Sequence, residues 1–118
     1  MNNTENLNEF ISRTMEEDGR QCKRAGNLVI YQNGDGFSWR WFYEKGGRIH
    51  YDCYGYSICD MQDYTFSELA PREFKEKFTE EERQFFANEY NRIKCELSGS
   101  YRYAEEFDDY FEEYEEEY

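Results

Sequence analysis

Apolar residues recur at helical spacing in two parts of the chain, one near the N-terminus and one after residue 79. The first pattern predicts a helix that begins with Thr4 as its N-cap and ends at Gly19. The second predicts a longer helix, with a capping box formed by Thr79 and Glu82 and a stop at Gly99. The apolar faces of the two helices are Leu7, Phe10, Ile11 and Met15 in the first, and Phe85, Phe86, Tyr90, Ile93 and Leu97 in the second.

Residues 27–56 alternate with the period of a β-strand instead. The separators "NGDG" and "KGG" divide this stretch into three runs rich in aromatic and β-branched residues, and their glycines suit hairpin turns with a positive φ. The pattern predicts an antiparallel meander of three strands. One face of the middle strand is wholly aromatic and is expected to pack against helices. That face consists of Phe37, Trp39, Trp41 and Tyr43.

Shorter segments join these elements. We expect "RQCKRAG" to be a basic connector, "SICDMQDYTF" to be a second connector, and "SELAPREFKEKF" to form a short helix around Pro71. The predicted fold class is α+β, with an N-terminal helix, a three-stranded antiparallel β-meander and C-terminal helices. Residues 1–100 are expected to form a single domain, followed at 101–118 by an acidic aromatic C-terminal helix or tail.

The final segment, "YRYAEEFDDYFEEYEEEY", mixes carboxylates with aromatic rings. At about 100° per residue, six of its rings fall within an arc of about 100° and its carboxylates within an arc of about 200°. The six are Tyr103, Phe107, Tyr110, Phe111, Tyr114 and Tyr118. This sorting favours an amphipathic helix. Like-charge pairs at i,i+4 oppose it by roughly 0.2–0.5 kcal/mol each, whereas burial of one large ring contributes on the order of 1.5–3 kcal/mol. We therefore expect the segment to be helical only while its rings are packed.

Charge is divided unevenly along a chain whose formal net charge is −13. Residues 101–118 hold nine of the 27 acids and one of the 14 bases, which gives −8 there and −5 in the first hundred residues. Such a surface repels nucleic acid and anionic membranes, and it attracts basic partners. Because neither a long apolar span nor a secretory signal is visible, we expect a cytoplasmic protein with reduced cysteines, bound directly to neither nucleic acid nor membrane.

The spacing of the terminal carboxylates suggests what they imitate. Helical residues 105–117 would span about 20 Å, so their charges would stand one per roughly 2.2 Å, against one per about 1.7 Å along duplex DNA. The hypothesis is that this segment resembles a phosphate backbone to a cleft that binds nucleic acid. Two alternatives stay open: an acidic run that only keeps the protein soluble, and a tail that folds back onto Arg20, Lys23 and Arg24.

Metal binding and catalysis have weaker support in the sequence. His50, Cys53 and Cys59 give an H-x2-C-x5-C spacing, but zinc takes four ligands and Cys22 and Cys95 are distant in sequence. A strand through His50 and Cys53 would also point the two side chains to opposite faces. Buried reduced cysteines are the preferred interpretation. No nucleophile signature accompanies the single histidine, so no catalytic residue, metal or cofactor is expected.

In size, charge and its tail "EEFDDYFEEYEEEY", the chain resembles the small acidic inhibitors of phages and mobile elements, the anti-CRISPR and antirestriction DNA mimics. The resemblance implies a non-enzymatic inhibitor, monomeric or dimeric, in the cytoplasm of a bacterial host. Its partner would be a basic nucleic-acid-binding protein, either a CRISPR effector or a restriction nuclease, whose DNA binding it blocks. The alternative is a cytosolic protein-interaction module with a solubilising or regulatory acidic tail.

The resemblance carries over to the tail carboxylates alone, and the tail tyrosines are expected to anchor near the rim of the groove. The expected partner-binding residues are Glu105, Glu106, Asp108, Asp109, Glu112, Glu113, Glu115, Glu116, Glu117, Tyr110 and Tyr114.

Overall fold

Residues 5–98, which a computed structural model describes, hold helices and one antiparallel sheet, so the predicted α+β class is confirmed. In chain order the elements are α1 (Leu7–Asp18), β1 (Cys22–Ala25), β2 (Leu28–Gln32), β3 (Gly36–Lys45), β4 (Arg48–Ser57), α2 (Ile58–Asp63), α3 (Phe66–Leu69), α4 (Arg72–Glu76) and α5 (Glu80–Ser98). Within these residues, no helix combines the length and apolarity needed to cross a bilayer.

The sheet has four strands in the order β1-β2-β3-β4, not the three predicted. The extra strand is the segment predicted to be a basic connector, which pairs with β2 from Cys22 opposite Tyr31 to Ala25 opposite Leu28. A tight turn follows it, and Gly26 there has a φ of +57°. The strand was hidden because its charged side chains give no apolar alternation, although their aliphatic stems can lie along a sheet.

The two predicted glycine turns have different outcomes. Gly46 and Gly47, in "KGG", have φ values of +62° and +75°, as predicted for the β3–β4 hairpin. In "NGDG", by contrast, neither Gly34 nor Gly36 has a positive φ, so that part of the prediction is wrong. Gly36 is needed for space, because a Cβ there would collide with the carbonyl oxygen of Tyr56 on β4.

The larger hydrophobic core lies between one face of the sheet and helices α2–α5. Phe37 meets Phe86 and Tyr90 of α5 edge to face, with ring centroids 5.9 and 5.8 Å apart. Trp39 is also buried in this core, while Trp41 packs against its margin. The aromatic face of β3 and the apolar face of α5 therefore contact each other, which confirms the predicted packing for Phe37, Trp39 and Trp41. Tyr43, the fourth residue of that face, lies outside this core and stacks on Trp41 and His50.

A smaller core lies under α1 on the opposite face, where Ile11 contacts a cluster containing Val29 and Phe42. The predicted N-cap of α1 is wrong. Asn6 caps the helix, since its side chain accepts from the Glu9 N–H at 2.8 Å and the Glu9 carboxylate accepts from the Asn6 N–H at 3.1 Å. Thr4 itself lies outside the described residues. The stop is confirmed, because Gly19 has a φ of +80°.

The segments between β4 and α5 are more helical than predicted. "SICDMQDYTF" is not only a connector, because Ser57 and Asp60 form a capping box that starts α2. The predicted helix around Pro71 is two short helices, α3 and α4, with Pro71 as the N-cap of α4. The capping box that begins α5 is confirmed, with Thr79 and Glu82 exchanging hydrogen bonds of 2.9 and 3.1 Å. The predicted stop at Gly99 lies outside the described residues.

Candidate functional site

The partner-binding residues predicted from the sequence all lie outside the described residues, in the segment that follows α5. They are Glu105, Glu106, Asp108, Asp109, Glu112, Glu113, Glu115, Glu116, Glu117, Tyr110 and Tyr114. What the structure does give is the body that carries this segment, and the surroundings of the helix end to which it is attached.

The last turns of α5 are bound firmly to the edge of the sheet. Arg92 bridges Glu89 and Glu96 at 2.9 Å each, and its guanidinium also donates to the Gln32 side-chain oxygen at 3.0 Å. The Gln32 amide in turn donates to Glu96 at 2.9 Å. This hydrogen bond and the nearby Arg92 charge lower the pKa of Glu96. The chain therefore leaves the described body at a fixed point, two residues after an anchored side chain.

The basic residues around β1, onto which the acidic tail folds in one of the alternatives, have partners among residues 5–98. Arg20 donates to Asp18 at 2.6 Å, and Lys23 lies 3.5 Å from the Glu89 carboxylate. Arg24 donates to the Gly26 carbonyl at 2.7 Å. Each of these three cations therefore has an anionic or carbonyl partner among residues 5–98.

Arg40 differs from these residues. Its guanidinium lies 5.2 Å from the Tyr31 ring centroid and 5.0 Å from that of Tyr51, while within residues 5–98 it forms neither an ion pair nor a hydrogen bond. Arg20 also lies over the Tyr31 ring, at 4.5 Å. Two arginines thus lie over the Tyr31 ring on the sheet face that α1 packs on, and the charge of Arg20 is paired with Asp18. The alternation of Arg40 with aromatic residues was its signal in the sequence.

The structure does not bring the histidine and cysteines together. His50 pairs with Tyr43 and Cys53 with Arg40 across β3 and β4, so the two side chains leave β4 on opposite faces, as predicted. The expectation of buried cysteines is wrong, because Cys53 and Cys59 are exposed and Cys22 and Cys95 are only partly buried. Among residues 5–98, no group of three or more histidine, cysteine or acidic side chains is placed to hold a metal ion.

A cavity of about 460 Å³ lies between β4 and the turn that joins α3 to α4. Trp39, Tyr54 and Tyr56 form its sheet side, and Leu69 and Pro71 lie on its helix side. Burial raises the pKa of Tyr56, whose hydroxyl donates to the Leu69 carbonyl at 2.7 Å. Sequence reasoning missed this cavity because its two walls come from segments that only the fold places side by side.

Comparisons with known proteins complete these observations. No protein-family model matches the chain, and neither curated proteins nor solved structures give a match.

Proposed function

We propose that this protein is an inhibitor that occupies the basic nucleic-acid-binding groove of a nuclease complex, of the anti-CRISPR or antirestriction type. Residues 101–118 supply the phosphate-like charge in this proposal. The observation that carries it is the separation of charge along the chain. The segment holds nine acids and one base, whereas in the body ion pairs join carboxylates of α1, α4 and α5 to arginines and lysines.

The body would act as a scaffold for the acidic segment. Its aromatic core fixes α5 on the sheet, and the ion pairs of Arg92 with Glu89 and Glu96 hold the end of that helix. The tyrosines of the segment, Tyr110 and Tyr114 among them, would contact the rim of the groove or the body itself.

Binding would follow from charge complementarity. Clusters of carboxylates would replace DNA phosphates against the lysines and arginines of the groove, so affinity would depend strongly on salt. Each exposed charge contributes little alone, and rim charges act mainly on the association rate. Neutralising a cluster should therefore weaken binding far more than neutralising one residue.

Displacement of fluorescent duplex DNA from purified CRISPR effectors and restriction nucleases tests the proposal. For at least one enzyme, the full chain should compete with DNA in 50 mM salt. If about six charge contacts form, its affinity should fall on the order of a thousandfold by 200 mM salt. A chain ending at residue 98 should not displace the DNA. Competition that survives this truncation, or the absence of competition with every enzyme that the chain binds, would refute DNA mimicry.

A matched set of variants separates cluster effects from net charge. The cluster variant replaces Glu115, Glu116 and Glu117 by glutamine. The control neutralises three exposed acids of the body, Glu16, Asp63 and Glu81. Both variants lose the same net charge, so a mimic should lose affinity for the nuclease in the first variant and retain most of it in the second.

A second candidate function has some support in the body. Tyr54 and Tyr64 are 64% and 51% exposed, and exposed aromatic side chains are typical of protein-binding surfaces. A protein-interaction module would use this surface, while its acidic segment kept it soluble. Such a module would bind its partner equally well without residues 101–118 and in the presence of excess duplex DNA.

A further inference from the structure

The cavity between β4 and the α3–α4 turn has features of a binding site that do not depend on the acidic tail. Its volume of about 460 Å³ falls within the roughly 300–1,000 Å³ typical of ligand pockets. One wall belongs to β4, which is an edge strand of the sheet in the part of the chain that the structure describes. Tyr54 stands at this wall, 64% exposed, with its ring edge-on to that of Tyr56 at 5.3 Å.

The acidic side chains around the cavity outnumber the basic ones. Asp52, Glu68 and Glu73 contribute carboxylates to the lining, against the guanidinium of Arg72, and the Lys77 ammonium lies 3.8 Å from the Asp52 carboxylate. Arg72 already forms an ion pair with Glu76, with 3.4 Å between nitrogen and oxygen. The cavity therefore presents excess negative charge beside the one exposed aromatic ring of its lining, that of Tyr54, and this combination attracts an organic cation.

Two polar groups in the cavity wall are incompletely paired. One Asp52 carboxylate oxygen is buried without a hydrogen bond, and the nearest cation, the Lys77 ammonium, is 3.8 Å away. Trp39 is 2% exposed, and its indole N–H has no acceptor with hydrogen-bond geometry, although the Tyr56 hydroxyl is close enough to interact with it. Because this N–H is a donor, it would sense a cation bound beside it without binding that cation. Residues that exist only to fill a core are normally paired more completely than this.

We propose that this cavity binds the side chain of an arginine, with lysine as a weaker substitute, on an extended segment of a partner protein. The guanidinium would stack on the Tyr54 ring and donate to the Asp52 and Glu73 carboxylates. A planar guanidinium suits both contacts better than an ammonium group does. The charge of the cavity determines its occupant, because the carboxylates that attract an arginine would repel an acidic segment or a phosphate.

An NMR titration of the full-length protein with N-acetyl-arginine amide tests this proposal. The indole N–H signal of Trp39 should shift on binding. The indole N–H of Trp41 serves as an internal control, because it already donates to Glu82 at 3.0 Å and should not respond. N-acetyl-citrulline amide is the neutral isostere of the probe, and it should bind at least about tenfold more weakly, as expected on loss of a charged partner.

Variants locate the response within the cavity. Asp52→Asn should weaken the arginine probe about tenfold, and Tyr54→Ala should weaken it about fivefold by removing the stacked ring. Glu73→Gln removes a carboxylate from the opposite wall and should also weaken binding of the probe. It replaces Asp52→Asn if that variant does not fold. Tyr64→Ala is the matched control, because this exposed tyrosine lies outside the cavity. The affinity of this variant for the arginine probe should stay within about twofold of wild type.

Other outcomes would overturn the proposal. Equal binding of the arginine and citrulline probes, or no shift of the Trp39 signal at saturation, would exclude a cation site. A tenfold gain in affinity in Arg102→Gln would assign the cavity to the chain's own Arg102. Shifts that depend on protein concentration without any probe would assign it to a second copy. Because the probe titrations and the variants at residues 52, 54, 64 and 73 concern the body alone, their failure would leave the proposed role of residues 101–118 unaffected.

Discussion

The carboxylate of Glu82 accepts a hydrogen bond of 3.0 Å from the indole N–H of Trp41, and this contact joins the first turn of α5 to the middle of the sheet. The same carboxylate accepts from the backbone N–H groups of Asn27, at 2.7 Å, and Thr79, at 2.9 Å. Glu82 is 2% exposed, and none of the ion pairs found within residues 5–98 involves it. Three N–H donors thus replace the water that this carboxylate loses on folding.

Replacing Glu82 by alanine should destabilise the protein by about 2–3 kcal/mol, because it leaves the part-buried N–H groups of Asn27 and Trp41 without an acceptor and removes the cap at Thr79. Glu82→Gln should have a smaller effect, since the amide oxygen still accepts while the amide nitrogen cannot. Urea unfolding measures both changes. Glu81→Ala, at an exposed position in the same turn, is the control and should stay within about 0.5 kcal/mol of wild type. Similar losses at both positions would contradict this role of Glu82.

The capping role of Glu82 could be predicted from the sequence, but its contacts with Asn27 and Trp41 could not. The T-x-x-E pattern of Thr79 and Glu82 correctly indicates the start of a helix. Nothing local shows that the same carboxylate also reaches Asn27 and Trp41, which are 55 and 41 residues away along the chain. Periodicity reveals which faces are apolar, whereas long-range polar contacts depend on the packing of those faces.

The errors in predicting the sheet have similar causes. β1 is only four residues long, and its Lys23 and Arg24 hide the alternation, although the Gly26–Asn27 pair after it is a hairpin signal that was overlooked. Likewise, the S-x-x-D pattern of Ser57 and Asp60 was a usable signal for α2. The cavity beside Tyr54 could not have been predicted, because it exists only where two separate segments meet.

Gly36→Ala should destabilise the protein by more than about 2 kcal/mol. A Cβ at this position would collide with the Tyr56 carbonyl oxygen on the paired strand, so the β3–β4 backbone would have to separate. Thermal unfolding followed by circular dichroism provides the measurement. Gly34→Ala is the matched control in the same turn, because a Cβ there meets nothing within 4 Å. A Gly36→Ala variant as stable as this control would show that the strands separate easily.

Arg40→Gln should reduce stability by about 1–2 kcal/mol. The guanidinium lies between the Tyr31 and Tyr51 rings, at 5.2 and 5.0 Å, and a glutamine amide carries no charge to attract either ring. Urea unfolding of this variant is compared with that of Arg48→Gln, which removes an exposed arginine from the end of β4. The Arg48 variant should change stability by less than about 0.5 kcal/mol. If both substitutions have the same effect, net charge and not ring contact explains the role of Arg40.

The Asp18 carboxylate should remain ionised at pH 3. Hydrogen bonds from Arg20, the shortest 2.6 Å long, lower the pKa of Asp18 to about 2, from an ordinary value of 3.8. Since the folded-state pKa is depressed, the stability contributed by this pair is fully present above about pH 4 and is lost as the pH falls toward 2. That contribution should be small, because Arg20 is partly exposed and solvent screens the pair.

The chemical shift of the Asp18 side-chain carboxyl carbon measures this ionisation directly. Wild-type Asp18 should be mostly deprotonated at pH 3, whereas in Arg20→Gln its pKa should return toward 3.8 and the carboxyl should be mostly protonated. Arg13→Gln is the control, because Arg13 pairs with Glu5 and Glu17 and should leave the titration of Asp18 unchanged. A wild-type midpoint near pH 4 would mean that the pair does not persist in solution. The Arg20 guanidinium would then be available to other anions, among them the carboxylates of the acidic segment if that segment folds back onto Arg20, Lys23 and Arg24.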